Sequence, residues 1–140
     1  MAEIKVAING VLGKMGQEVL KTLCREPSLE PVGAIDALAA TDTLSLPDGS
    51  GFIPLSKSLV DVLDQADVIV DFTNFEGGTS VIQTAPSHGV NVVIGSTGIP
   101  PHVIEEAENL AQSNNIGILI APNFAMGAVL MIHLAKVAAR

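Results

Sequence analysis

Residues 4–16 read Ile4-Lys5-Val6-Ala7-Ile8-Asn9-Gly10-Val11-Leu12-Gly13-Lys14-Met15-Gly16. The first six residues of this stretch are mainly apolar, which is typical of a buried strand. The next seven contain three glycines with the spacing G-x-x-G-x-x-G. Val19, Leu20 and Leu23 then recur at helical spacing. A strand, a glycine turn and a helix in this order predict the opening of a βαβ unit that binds a dinucleotide.

Each glycine of the turn has its own predicted task. Gly10 turns the chain away from the strand, where a Cβ would clash. Gly13 leaves the backbone bare, so that a pyrophosphate can approach closely, and Gly16 lets the helix pack tightly on the sheet. The phosphates would lie at the N-terminus of the helix, where free N–H groups and the helix dipole favour an anion. A tight turn without a ligand is the alternative interpretation of the three glycines alone.

Asp36 supports the dinucleotide interpretation. It ends the apolar run of residues 32–35, twenty positions after Gly16. A carboxylate at this point of a dinucleotide-binding fold accepts hydrogen bonds from the hydroxyls of the adenosine ribose. The strand, the helix and this carboxylate together favour a ligand site over a plain turn.

Composition limits the possible partners. The chain has 140 residues, which fits one domain, and 48% of them are hydrophobic. Its formal net charge of −8 argues against a nucleic-acid partner, because a phosphate backbone requires a basic surface. No apolar run approaches the roughly 18–20 residues of a membrane span. We therefore expect neither a nucleic acid nor a membrane as a partner.

The N-terminus and the single cysteine indicate a cytoplasmic protein. The chain runs directly into a strand pattern, so we expect no signal peptide. Cys24 is the only cysteine, which excludes an internal disulfide and fits a reducing compartment. We expect Cys24 to be a small packed residue and not a catalytic thiol.

Strand and helix patterns alternate along the whole chain. This alternation predicts an α/β fold, a Rossmann-like doubly wound parallel sheet with helices on both faces. The apolar run 68–72 suits a strand that is buried on both faces of the sheet. The predicted strands are 4–9, 31–35, 51–53, 68–72, 90–94 and 116–120, the predicted helices are 15–25, 58–65, 77–87, 100–114 and 126–140, and residues 37–51 are predicted to form a surface loop.

Small and polar residues follow the predicted strands. In an open parallel sheet, ligands bind at the carboxyl ends of the strands. One extended ligand site is therefore expected where five turns converge, namely 10–16, Asp36, 72–74, 95–98 and 121–124.

Five motifs occur together in the chain, and as a set they resemble the N-terminal domain of the 4-hydroxy-tetrahydrodipicolinate reductase family, also called dihydrodipicolinate reductase. They are Gly10-x-x-Gly13-Lys14-Met15-Gly16, Gly33-Ala34-Ile35-Asp36, Val70-Asp71-Phe72-Thr73, Val93-Ile94-Gly95-Ser96-Thr97-Gly98 and Ala121-Pro122-Asn123-Phe124-Ala125-Met126-Gly127. The resemblance covers essentially the whole chain. It implies an NAD(P)H-dependent oxidoreductase of the diaminopimelate route to lysine.

The resemblance also implies a role for each site residue. The loop would hold the pyrophosphate, Asp36 the adenosine ribose, and the remaining residues the nicotinamide, with Thr97 also approaching the substrate. The implied cofactor-binding residues are Gly10, Val11, Leu12, Gly13, Lys14, Met15, Asp36, Phe72, Thr73, Gly95, Ser96, Thr97, Ala121, Pro122, Asn123 and Phe124.

Three departures from the family pattern qualify this assignment. Ala37 stands where the family often has a basic residue that can hold an NADP phosphate, so we expect NADH to be preferred, or both cofactors to be used. Ser96 replaces the first threonine of the usual Gly-Thr-Thr-Gly. The substrate-binding and tetramerising domain of the family, with its His-His pair and lysine, would follow Arg140. Residues 1–127 would thus form the dinucleotide-binding domain, and residues 128–140 a terminal helix leading towards that second domain.

No catalytic residue and no metal site are expected within the 140 residues. The histidines are His88, His102 and His133, and of these only His102, after the turn 95–98, is a candidate for chemistry. A small dicarboxylate substrate would bind only with the second domain, and the full-length protein would be a homotetramer. The alternative function is a stand-alone nucleotide-binding or sensing module that does not catalyse, and a different Rossmann dehydrogenase is a third interpretation.

Overall fold

The structure is a computed structural model that describes residues 3–121 and 123–139. Within them the chain forms one seven-stranded sheet with five α-helices and a short 3-10 helix. The strands are β1 (Ile4–Asn9), β2 (Leu29–Ile35), β3 (Thr43–Ser45), β4 (Phe52–Ser56), β5 (Val68–Asp71), β6 (Asn91–Ile94) and β7 (Ile118–Ile120). The helices are α1 (Lys14–Leu23), α2 (Val60–Leu63), α3 (Phe75–Thr84), α4 (Pro101–Asn114) and α5 (Met126–Ala138), and the 3-10 helix is Ala85–His88.

The strand order places the ends of β1, β2 and β5 side by side. The order is β3-β4-β2-β1-β5-β6-β7, and every pairing except β3 with β4 is parallel. After β1 the chain moves to one side to form β2, and later to the other side to form β5. The crevice at such a reversal is the usual ligand-binding position of an open α/β sheet. The predicted doubly wound α/β fold is confirmed.

Each face of the sheet carries an apolar layer. On one face Leu20 and Leu23 of α1 pack against Val6, Ile8 and Ala34. On the other face α2, α3 and α4 pack against alternate residues of β1, β5 and β6, including Ala7, Ile69, Val92 and Ile94. Side chains alternate along a strand, so each strand contributes to both layers.

The prediction that β5 is buried on both faces is confirmed only in part. Ile69 is fully buried on the side of α3, whereas Val68 and Val70 are only half-buried. Farther along the same open face, Leu119 of β7 is 53% exposed. None of the described residues of α5 is buried, so the helix that follows β7 does not cover this face. A continuous apolar run therefore did not distinguish a covered face from an open one.

The predicted surface loop 37–51 contains a strand that the sequence did not indicate. Thr43, Leu44 and Ser45 pair antiparallel with Pro54, Ile53 and Phe52, so β3 and β4 form a hairpin at the sheet edge. Thr and Ser are common in turns, so the pattern favoured a loop. Only Leu44 of β3 is partly buried, and it packs against the layer under α1.

Several predicted element ends shift by a few residues. The helix predicted from residue 77 begins at Phe75, because the Asn74 side chain caps it by accepting from the Gly77 N–H at 2.9 Å. It becomes a 3-10 helix at Ala85, next to Pro86, and ends at Gly89 with φ of 72°. Helix α1 ends at Leu23, before the predicted Arg25. Among the described residues, no helix has the length and apolar character required to cross a membrane.

Candidate functional site

The glycine loop joins β1 to α1 at the crevice. Gly10 has a φ of 81°, and a Cβ on it would lie 2.7 Å from the Thr73 methyl carbon. A Cβ on Gly16 would overlap the Gly10 carbonyl oxygen. The turn at Gly10 and the close approach of α1 at Gly16 are therefore as expected, and both glycines are required by the fold itself.

Gly13 differs from the other two glycines. Its φ of −73° is ordinary, and a Cβ there would meet only the Gly10 carbonyl oxygen, at 3.3 Å. A side chain at this position would therefore cause little steric conflict within the chain. The space beside Gly13 opens to solvent at the first residue of α1, which is where a phosphate would approach.

The first turn of α1 offers free donors. The N–H groups of Gly10, Val11, Leu12 and Gly13 donate within the protein, to Ile35 O, Ile35 O, Asp36 Oδ2 and Gly10 O. The described residues supply no backbone acceptor for the N–H groups of Lys14, Met15 and Gly16. Unpaired N–H groups at the start of a ten-residue helix form a favourable position for an anion.

Asp36 lies at the end of β2, beside the glycine loop. Its carboxylate oxygens accept from the N–H groups of Leu12 and Leu38, both at 2.9 Å. The residue is 9% exposed, so its carboxylate is held in place and still borders the crevice. Each carboxylate oxygen can accept more than one hydrogen bond, which leaves capacity for ribose hydroxyls. Ala37 beside it is exposed and uncharged.

Two aromatic rings meet at the other half of the edge. The ring centroids of Phe72 and Phe124 are 5.8 Å apart, with the planes tilted by 60°. Gly95 lies against Phe72 so closely that a Cβ would overlap its ring. Phe124 is 47% exposed, so one side of this pair remains open to a planar ligand. The structure thus brings together Phe72, Gly95 and Phe124, which lie far apart in the sequence.

The remaining predicted residues of this half follow the strands β5, β6 and β7. Thr73 and Thr97 are exposed, and Ser96 is 5% exposed. The Ala121 N–H donates to the Ile94 carbonyl at 3.0 Å, and the Asn123 side chain accepts from the Ala125 N–H at 3.0 Å. Pro122 was also predicted to belong to the site and lies outside the described residues.

A buried carboxylate that the sequence reasoning left out of the site lies beneath these residues. Asp71 is 0% exposed and accepts from the side chains of Asn9, Thr73 and Ser96. The available signal was that Asn9 and Asp71 are each the polar last residue of an apolar strand. Polar residues in that position at the carboxyl edge indicate a site or its support.

These features suit a nicotinamide dinucleotide. The bare backbone at Gly13 and the free N–H groups of α1 suit its pyrophosphate, Asp36 suits its adenosine ribose, and the Phe72–Phe124 pair suits its nicotinamide ring. A pocket of about 490 Å³ at the opposite, amino edge of β2 and β4 does not suit it, because Glu26, Glu30 and Asp48 line that pocket and would repel phosphate.

Among the described histidines only His102 lies towards this edge, because α4 begins after the turn that follows β6. The His88 Nδ1 lies 2.7 Å from an Asp64 carboxylate oxygen, which gives it a structural partner. His102 is exposed in the first turn of α4, and His133 is exposed on α5. Cys24 is half-buried, and burial raises the pKa of its thiol, which fits a packed residue. No group of three potential metal ligands occurs within residues 3–121 and 123–139.

The chain matches known proteins over nearly its whole length. Residues 4–124 match the family described as dihydrodipicolinate reductase, N-terminus. A 4-hydroxy-tetrahydrodipicolinate reductase of Dehalococcoides mccartyi is 54% identical over 142 residues, which cover 100% of this chain and 54% of the relative. A counterpart from Listeria welshimeri is 41% identical and is matched over 54% of its length.

Solved structures agree with this match. The dipicolinate-bound dihydrodipicolinate reductase from Paenisporosarcina sp. TG-14 superposes with a TM-score of 0.80 at 34% identity, over 98% of this chain and 54% of that one. GenD2 from gentamicin A biosynthesis, solved in complex with NAD, has a TM-score of 0.74 at 19% identity, over 89% of this chain and 36% of that one, which shows a shared fold.

This chain spans about half the length of the curated relatives it matches. The family and the fold support binding of a nicotinamide dinucleotide, as the glycine loop and Asp36 indicated. The chain belongs to the family described as dihydrodipicolinate reductase, N-terminus.

Proposed function

We propose that this chain binds NAD(P)H and holds it for hydride transfer in a 4-hydroxy-tetrahydrodipicolinate reductase of the diaminopimelate route to lysine, in the cytoplasm. The observation that carries the proposal is the convergence of three features on the carboxyl edge of the sheet: an anion position at Gly13, a fixed ribose acceptor at Asp36 and an open aromatic pair. Their order along the edge matches the order of the parts of a dinucleotide.

Different residues bind different parts of the cofactor in this proposal. The Lys14, Met15 and Gly16 N–H groups stabilise the pyrophosphate, and Asp36 accepts from the adenosine ribose. Phe72 and Phe124 would pack against the nicotinamide ring and exclude water from the packed side. The cofactor supplies the hydride when it is bound.

Thr97 is the residue of this chain that we assign to the substrate. It is exposed in the turn after β6, beside Ser96. Its hydroxyl can donate to a carboxylate of a small dicarboxylate. The other substrate contacts and the proton donor would come from the part of the protein that matches the remaining length of the relatives, and the whole protein would be a homotetramer.

In this proposal NADH is the preferred cofactor, or both NADH and NADPH are used. Asp36 is committed to accepting hydrogen bonds and repels a 2′-phosphate, and exposed Ala37 offers no cation. Lys57 could soften the repulsion, because it lines a pocket with Thr41 and Ser56 next to the end of β2. Ser56 pairs with Ile35 and accepts from the Asp36 N–H at 3.0 Å.

Titration of the purified chain with NADH tests the proposal. The chain has no Trp and no Tyr, so the emission of bound NADH can be followed without interference from either. We expect saturable binding with enhanced emission, competed by ADP and NAD. Asp36→Ala should weaken NADH binding by about ten-fold, as expected for loss of hydrogen bonds to a charged acceptor. Asp67→Asn, at the opposite edge of the sheet, is the matched control. Absence of saturable binding by the folded chain would refute the proposal.

A further inference from the structure

The side chain of Asp71 joins three strand ends at the candidate site. Its Oδ1 accepts from the Asn9 amide at 2.8 Å and from the Thr73 hydroxyl at 2.7 Å, and its Oδ2 accepts from the Ser96 hydroxyl. Asn9 ends β1, and Thr73 and Ser96 follow β5 and β6. One fully buried carboxylate therefore connects the segments that carry Gly10, Phe72 and Gly95.

Backbone hydrogen bonds reinforce this connection. The Phe72 N–H donates to the Asn9 carbonyl at 3.2 Å, and the Gly95 N–H donates to the Asp71 carbonyl at 2.8 Å. Phe72 and Gly95 are in van der Waals contact. A shift of the Asp71 carboxylate would therefore move the aromatic ring that faces the nicotinamide position.

Helix α3 is shaped to accommodate the same network. A Cβ on Gly77 would overlap the Thr73 hydroxyl, and a Cβ on Gly78 would lie 2.5 Å from Ser96 Oγ and 3.3 Å from Asp71 Oδ2. Two adjacent glycines near the start of a helix are unfavourable for helix formation, by roughly 1 kcal/mol each. Their position here is explained by the space that the hydrogen-bonded side chains occupy.

The adenosine half of the site is anchored separately. Asp36 holds Leu12 and Leu38 through their N–H groups, and no described hydrogen bond joins the Asp36 side chain to the Asp71 network. Two carboxylates thus fix two halves of the edge, one at the end of β2 and one at the end of β5.

We propose that Asp71 is a positioning residue for the nicotinamide half of the cofactor. It touches no cofactor atom; it fixes the Phe72 ring and the turn at Ser96 through the hydroxyls and amide that it accepts from. Loss of the carboxylate loosens these segments, so that the bound nicotinamide is held less firmly, whereas the adenosine half keeps its own anchor. This inference rests on the proposed binding of a nicotinamide dinucleotide.

The test compares two ligands in the same variants of the full 140-residue chain. NADH contacts both halves of the site, and ADP lacks the nicotinamide. We expect Asp71→Asn to weaken NADH binding about ten-fold and ADP binding less than two-fold, with reduced emission of bound NADH. Asp71→Ala should weaken NADH binding relative to ADP binding more than Asp71→Asn does, because Asn retains an acceptor for Asn9 and Thr73. All affinities are measured well below the unfolding midpoint of each variant.

Asp67→Asn is the matched control, because Asp67 also joins β1 to the start of β5. It accepts from the Lys5 N–H at 2.8 Å, at the opposite edge of the sheet. We expect this variant to leave the ratio of NADH to ADP affinity unchanged, because the position is remote from the candidate site. An equal change of that ratio in Asp67→Asn would overturn the proposal, because general destabilisation would then explain the effect.

Ser96→Ala tests the same proposal if Asp71→Asn does not fold. It removes one of the hydroxyls that donate to Asp71 and should weaken NADH binding relative to ADP binding about three-fold. Ser96→Thr keeps the hydroxyl and should have the wild-type ratio of the two affinities. An unchanged ratio in folded Asp71→Asn, or in Ser96→Ala, would overturn the inference while wild-type NADH binding still supports the proposed function. Failure of the wild-type chain to bind either ligand would instead refute the proposed function.

Discussion

At the scale of single residues, the three glycines of the loop have different physical origins. Gly10 and Gly16 are required by the packing of the chain against itself, since a Cβ at either would lie too close to neighbouring atoms. At Gly13 a Cβ would have nearly enough room. In the proposed function the requirement at Gly13 comes from the pyrophosphate, and substitutions can separate the two kinds of glycine.

Gly13→Val should abolish NADH binding while the chain remains folded. The side chain would occupy the position of the pyrophosphate, and valine at this helix cap should cost only about 1 kcal/mol of stability. Gly16→Ala is the contrasting variant, because its Cβ overlaps a backbone oxygen, and it should lower the free energy of unfolding by roughly 2 kcal/mol or more. Denaturant unfolding and NADH titration measure both effects. Wild-type affinity in folded Gly13→Val would contradict the assignment of the loop.

The choice between cofactors also belongs to this scale. We expect the chain to bind NADH at least as tightly as NADPH, because Asp36 repels a 2′-phosphate. Lys57→Met should weaken NADPH binding several-fold and leave NADH binding unchanged, since a 2′-phosphate is the group that a cation at this pocket would attract. Parallel titrations at physiological salt measure the preference. Ten-fold tighter binding of NADPH, a difference of about 1.4 kcal/mol, would show that the preference is wrong.

At the scale of elements, α3 shows how a local cap serves the site. Its two glycines weaken the helix, and the Asn74 side chain compensates by accepting from the Gly77 N–H. The cap also fixes the start of the helix directly above the Asp71 network. The stability of this helix start therefore depends on one side chain.

Asn74→Ala should lower the free energy of unfolding by about 1 kcal/mol, because an N–H group at the helix start loses its acceptor. Asn74→Asp should retain most of the stability, since aspartate caps as well as asparagine. Chemical unfolding of the three proteins measures the difference. Equal stability of Asn74→Ala and the wild type would mean that water replaces the cap without cost.

At the scale of the whole molecule, apolar surface remains uncovered. Seven large apolar side chains of α5 are each at least 50% exposed, namely Met126, Val129, Leu130, Met131, Ile132, Leu134 and Val137. Helix α5 does not pack on the sheet as a final crossover helix, since none of its described residues is buried. A helix this apolar is usually covered by protein.

We expect the isolated chain to self-associate at high concentration through α5. Leu130→Glu combined with Leu134→Glu should make it monomeric, because charged residues on this face oppose burial. Sedimentation at increasing concentration measures the state of both proteins, and NADH titration serves as the folding control. A strict monomer at high concentration would show that α5 tolerates exposure.

The isolated chain should bind cofactor and reduce nothing. Hydride transfer needs a positioned nicotinamide, a held substrate and a proton donor, and among the described histidines only His102, exposed at the start of α4, lies towards the edge that would hold the cofactor. Absorbance of NADH in the presence of the pathway substrate measures turnover. A rate above about 1 per second would show that catalysis is complete within these residues. Restoration of turnover by the remaining length of a related reductase would exclude a stand-alone sensing module.

The sequence by itself determined the α/β fold, the parallel strands and the positions of the loop, Asp36 and the later turns. These features depend on local periodicity and on the chemistry of glycine and of single polar residues, which neighbouring residues reveal. The tertiary structure alone decided the β3–β4 hairpin, the open face beside β7 and the Asp71 network. Each depends on partners far away in the chain, since Asn9 and Asp71 are 62 positions apart and meet only because β1 and β5 are neighbours in the sheet. Neither composition nor periodicity carries that information.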